Sequence, residues 1–101
     1  MSNYRNPSTD RLFNIIKNMN TAEECYAFFE DLCTVKEIKD MAQRLDTAFL
    51  LEKGLSYHQI TEQVGTSAAT ISRVSRALNY GAGGYKAAIE KAEKETKTDA
   101  V

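Results

Sequence analysis

The residues with chemistry to offer lie between Leu55 and Tyr80, in the run LSYHQITEQVGTSAATISRVSRALNY. Ser67, Ala68, Ala69, Thr70, Ser72, Arg73 and Arg76 combine small side chains, hydroxyls and two guanidinium groups. On the outer face of one helix that set suits a DNA major groove: small residues let the backbone approach, while hydroxyls and arginines reach base edges and phosphates. No acid occurs from Gly65 to Tyr80, whereas a surface helix chosen for solubility alone would carry glutamates and lysines. Just upstream, Tyr57, His58 and Gln59 stand where they can anchor the preceding helix on the DNA backbone.

Other chemistries find less support. His58 is the sole histidine and has no evident acid or nucleophile partner, so no catalytic residue is expected and the chain does not read as an enzyme. Cys25 and Cys33 are the only cysteines. Two thiols and one imidazole fall short of a zinc site, so no metal is expected and the pair reads as buried free thiols. Gly81, Gly83 and Gly84 crowd four positions. No strand-forming run precedes them and no GK[ST] follows, so they read as a hinge rather than a phosphate cradle.

Two short helices joined by a tight turn must position the motif. Ser56 and Gln59 form a capping box, in which each side chain satisfies a backbone N–H at the helix start. Ile60 and Val64 point inward, Gly65 stops the helix, and Thr66 or Ser67 caps the next one, which buries Ile71, Val74 and Leu78.

Three helices are expected upstream. Ser8 or Thr9 caps the first, whose apolar face is Leu12, Phe13, Ile15, Ile16 and Met19. Thr21 and Glu24 open a second, running to Cys33 and burying Cys25, Phe28, Phe29 and Leu32. Thr34 and Glu37 open the third and longest, ending near Lys53 before Gly54. Its apolar residues, from Val35 through Ile38, Met41, Ala42, Leu45, Ala48, Phe49 and Leu51, cover almost three sides. That breadth suggests a face shared with a second chain. Downstream, residues 85 to about 95 form a last helix with Tyr85, Ala88, Ile89 and Ala92 inward. No segment alternates with a period of two, so the fold is expected to be all-α with about six helices. Residues 1–8 read as a flexible N-terminal arm and 96–101 as a frayed tail. Between them, 9–95 reads as a single helical domain: dimerisation helices over 9–54, a helix-turn-helix over 55–80 and a C-terminal helix over 85–95.

A chain of 101 residues holds one domain and a modest core, near the size at which a second copy adds stability. No apolar run approaches the roughly 20 residues that span a bilayer, and the N-terminus lacks a signal-peptide core, so a cytoplasmic protein is expected. The net charge is −1. Residues 55–80 carry two basic residues and one acid, the only segment with positive balance, so tight non-specific DNA binding is not expected.

The helix opened by Thr34, the run GLSYHQITEQVGTSAATISRVSRALN and the short final helix together resemble the tryptophan repressor family, over roughly residues 10 to 95. The likeness is nearest to its branch of uncharacterised regulators often labelled YerC/YecD. The resemblance implies an all-helical, intertwined homodimer that binds double-stranded operator DNA through two copies of the motif. It also implies an effector pocket, in which Thr34, Arg44 and Arg73 match the family's tryptophan-binding threonine and two arginines. Val74 departs from the pattern: a glycine at that place makes room for the indole, and an isopropyl group would fill the slot. A small-molecule corepressor therefore stays open, while tryptophan itself is doubtful. The function expected is a sequence-specific DNA-binding transcriptional regulator, a repressor acting as a homodimer. The alternative is a helical protein-interaction module that never touches DNA.

Overall fold

The computed structural model describes residues 4–99, with side chains as far as Glu95. Six helices and no strand occur among the described residues: α1 Pro7–Lys17, α2 Ala22–Leu32, α3 Val35–Glu52, α4 Tyr57–Val64, α5 Ala68–Tyr80 and α6 Gly84–Asp99. The span expected as one domain falls into two compact units, one ending at Ile38 and the other beginning at Lys39. No helix among the described residues is long and apolar enough to cross a membrane.

In the first unit α1 starts earlier than the expected caps at Ser8 or Thr9. Asn6 is the cap: its side-chain oxygen accepts the Thr9 N–H, and the Thr9 hydroxyl accepts the Asn6 N–H, each at 2.9 Å. Pro7 becomes the first helical residue, where its missing N–H costs nothing and its fixed φ suits the helix. The expected arm of residues 1–8 is thus helical from Pro7, while residues 1–3 lie outside the described residues. Thr21 caps α2 by accepting the Glu24 N–H at 3.1 Å, but the Glu24 carboxylate reaches past it to the Asn20 N–H at 3.3 Å. Cys33 is the C-cap, so α2 ends at Leu32. Both cysteines are free but half-buried, not fully buried as expected. At the start of α3 the Thr34 hydroxyl accepts the Glu37 N–H at 3.0 Å, and the Glu37 carboxylate accepts the Thr34 N–H at 2.8 Å.

Neither α1 nor α2 buries a single residue fully. Phe13, Tyr26, Leu32 and Val35 are each more than half exposed, and an apolar side chain left in water forgoes part of the roughly 1.5–3 kcal/mol that full burial gives.

The second unit has the core. Ala48 of α3, Val74 and Leu78 of α5 and Ile89 of α6 form a buried cluster, flanked by Phe49, Leu51 and Tyr85. Helix α5 packs against both α4 and α6, so it is held along its inner stripe. Ile60 and Ile71 are fully buried. Ala88, expected inward, is exposed: α6 turns the narrower stripe of Tyr85, Ile89 and Ala92 toward its neighbours. Glu52 of α3 and Lys86 of α6 meet at 3.6 Å on the surface. Helix α6 also outruns its expected end near residue 95 and stays helical to Asp99, correcting the frayed tail over 96–99. Residues 100 and 101 lie outside the described residues.

Candidate nucleic-acid interface

The helix pair α4 and α5 is built as its punctuation requires. The Ser56 hydroxyl accepts the Gln59 N–H at 3.2 Å, and the Gln59 side-chain oxygen accepts the Ser56 N–H at 2.8 Å. Gly65 ends α4 in the left-handed conformation, φ 77, where a side chain would be strained. Of the two candidate caps for α5, Ser67 caps and Thr66 is buried.

Placed at 100° intervals about the helix axis, the residues of α5 divide cleanly. Ile71, Val74 and Leu78 cluster on one side and are buried; Thr70 and Ser75 border them and are half-buried. The opposite half carries Ala69, Ser72, Arg73, Arg76 and Tyr80, all exposed, with exposed Ala68 at its edge. Neither arginine forms an ion pair among the described residues, and no carboxylate lies on this helix. The arc is therefore a cationic, low-relief surface that projects its two guanidinium groups into solvent.

The remaining expected contact residues are more committed. Ser67 accepts the Thr70 N–H at 3.2 Å and donates to the Thr70 hydroxyl at 3.1 Å, so both hydroxyls at the start of α5 are tied together. Tyr57 opens α4 and is partly exposed. His58 projects into solvent and meets Glu62, one turn on, at 3.1 Å. Gln59 keeps its NH₂ group free of the capping bonds.

The expected effector residues differ in burial. Val74 is 1% exposed, and its isopropyl group packs with Ala48, Leu78 and Ile89. Arg44 is half-buried on α3, whereas Arg73 is exposed. Thr34 belongs to the first unit, where it caps α3. A cleft in the second unit is lined by Asp46, Phe49, Leu50, Lys53, Gln63 and Val64, and includes none of these four. No group of three His, Cys, Asp or Glu residues could hold a metal ion among the described residues.

Two residues escaped the sequence reading. Tyr80 is 87% exposed, one turn beyond Arg76 on the same arc; its i, i+4 spacing from Arg76 was the available signal. Gln43 of α3 donates to the Val64 carbonyl at 3.1 Å. Nothing local in the sequence links them.

Comparison with known proteins agrees with this geometry. The family model for Trp repressor protein matches residues 8–93. The chain is 50% identical over 95 residues to the uncharacterized protein YerC of Bacillus subtilis (strain 168), covering 94% of this chain and 90% of that protein. Among solved structures, it is similar to a TrpR like protein from Eubacterium eligens ATCC 27750, with TM-score 0.86 and 40% identity over 88% of this chain and 92% of that one. It is also similar to a candidate Trp repressor from Staphylococcus aureus, with TM-score 0.85 and 42% identity over 88% and 89%.

Proposed function

The chain belongs to the Trp repressor family, a family of regulators rather than enzymes, and on that premise we propose that it is a sequence-specific DNA-binding repressor acting as a homodimer. The observation that carries this reading is the acid-free outer arc of α5, with Arg73 and Arg76 exposed and unpaired while the opposite side of the same helix is sealed in the core.

In this reading Ser67, Ala68, Ala69, Thr70 and Ser72 meet base edges, and Arg73 and Arg76 reach phosphate or guanine. Tyr57, His58 and Gln59 anchor α4 on the DNA backbone; His58 does so by exchanging Glu62 for a phosphate. A second copy covers the exposed apolar residues of α1, α2 and early α3, because leaving Phe13, Tyr26, Leu32 and Val35 in water is otherwise unfavourable. Such a regulator works in the cytoplasm, beside its operator. If it takes a corepressor, Thr34, Arg44 and Arg73 are the polar groups the family pattern offers, and packed Val74 argues against tryptophan.

The test is a selection from random DNA on the purified protein at low salt, with and without an amino-acid pool. Enrichment of a two-fold sequence supports the reading. Retention of no DNA at low salt would replace it with the protein-interaction module.

A further inference from the structure

Val64 is the last residue of α4, so its carbonyl is one of the four that a helix leaves without an internal partner. The Gly65 N–H turns back to Thr61, so the local cap does not serve it. Instead the Gln43 side-chain nitrogen, from 21 residues earlier, donates to the Val64 oxygen at 3.1 Å in a partly buried setting. A carbonyl only accepts, so the orientation of the Gln43 amide is fixed by chemistry. One turn further along α3, fully buried Thr47 donates to the Gln43 backbone oxygen at 2.8 Å, so the same turn of α3 also takes a hydroxyl bond from inside the unit.

This bond falls at a mechanically sensitive point. Three residues, Gly65, Thr66 and Ser67, connect the end of α4 to the start of α5, so any swing of the α4 terminus redirects α5. Met41 and Leu45 flank Gln43 on α3 and are exposed apolar residues. We infer that Gln43 is a positioning residue that locks the DNA-reading helix to the long helix shared by the dimer, and so sets the half-site separation the dimer accepts. The inference rests on the dimeric regulator reading above. It adds a residue that touches no DNA but controls the register of the two motifs, since separation between half-sites is a geometric property of the dimer.

The experiment compares wild type with Gln43→Met, which conserves volume but removes the donor, and Gln43→Lys, whose ammonium restores a donor to the carbonyl. Each is titrated on the selected two-fold site and on versions with one base pair inserted or deleted at its centre, and each is melted. Wild type should prefer the native separation. Gln43→Met should keep its helicity and dimeric mass, yet lose about two- to tenfold of that preference, the worth of one hydrogen bond, and Gln43→Lys should recover it. A merely structural role would lower melting temperature and weaken binding to every spacing alike, and that outcome would overturn the inference. So would a Met variant indistinguishable from wild type in spacing preference. Wild type that binds no DNA at all would instead overturn the regulator reading itself, so the two failures are separable.

Discussion

The hydroxyl of Ser67 both accepts the backbone N–H of Thr70, at 3.2 Å, and donates to the hydroxyl of that same residue, at 3.1 Å. The cap and the proposed base-reading hydroxyls are therefore superimposed at the first turn of α5, and two substitutions separate the two roles. Ser67→Ala removes the cap and should cost about 1 kcal/mol, seen as a lower melting temperature. Ser67→Asp restores a good cap but places a carboxylate against phosphates; stability should recover while DNA affinity drops. Undiminished DNA affinity in the Asp variant would take this turn out of the interface.

Thr70 and Arg76 should fail differently. The Thr70 hydroxyl, having accepted from Ser67, keeps its proton to donate, and Thr70→Ala should cost roughly 1–3 kcal/mol at one base position and relax preference there. Arg76 is exposed and unpaired, so Arg76→Ala should leave stability within about 0.5 kcal/mol of wild type. It should weaken binding about equally on specific and scrambled DNA and reduce the salt slope by about one. Titrations at several salt concentrations decide both. No effect of either change on any DNA would leave the helix pair as a structural element.

Val74 tests the effector pocket. With its isopropyl group packed in the core, tryptophan at millimolar concentration should not move the melting temperature of wild type. Val74→Gly opens a cavity and puts glycine mid-helix, so a loss of about 2–4 kcal/mol is expected. Added tryptophan should then raise the melting temperature of the glycine variant. An upward shift already in wild type would show that the pocket survives beside Val74.

Assembly is tested at Leu32, half exposed at the end of α2. Wild type should sediment at twice the mass of one chain and show no folded monomer on dilution. Leu32→Glu, which sets a charge in the proposed interface, should dissociate the dimer and lower the melting temperature together. A compact wild-type monomer that persists at nanomolar concentration removes the dimer.

Where the fold was legible, the signals were short-range and chemically specific. Ser56 with Gln59, Thr34 with Glu37, left-handed Gly65 and the stripe of Ile71, Val74 and Leu78 each declare themselves within a few residues. Helix α1 begins ahead of its apolar periodicity, which starts at Leu12, because Asn6 and Pro7 carry the cap chemistry. Ala88 is exposed despite its spacing because alanine takes either side of a helix at little cost, and bulkier Ile89 settles which side is buried. The outward arc of α5 was readable from residue types, since small residues and arginines without acids are an unusual surface choice. The bond from Gln43 to Val64 was not, because its partners are brought together only by the packing of α4 in the second unit.

The two unpaired arginines on α5 belong to a chain whose net charge is −1. Beyond a Debye length of about 8 Å in physiological salt exposed charges are screened, and a net charge near zero gives an approaching duplex no broad attraction, so the cationic arc acts only at close range. Long-range steering and one-dimensional sliding, which depend on a broad positive field, are therefore weak for such a protein. On the proposed reading it searches a chromosome by separate three-dimensional collisions, most of them brief. Its occupancy then depends on how long a correctly spaced pair of half-sites holds it, so differences between operators should appear in residence time far more than in the rate of arrival.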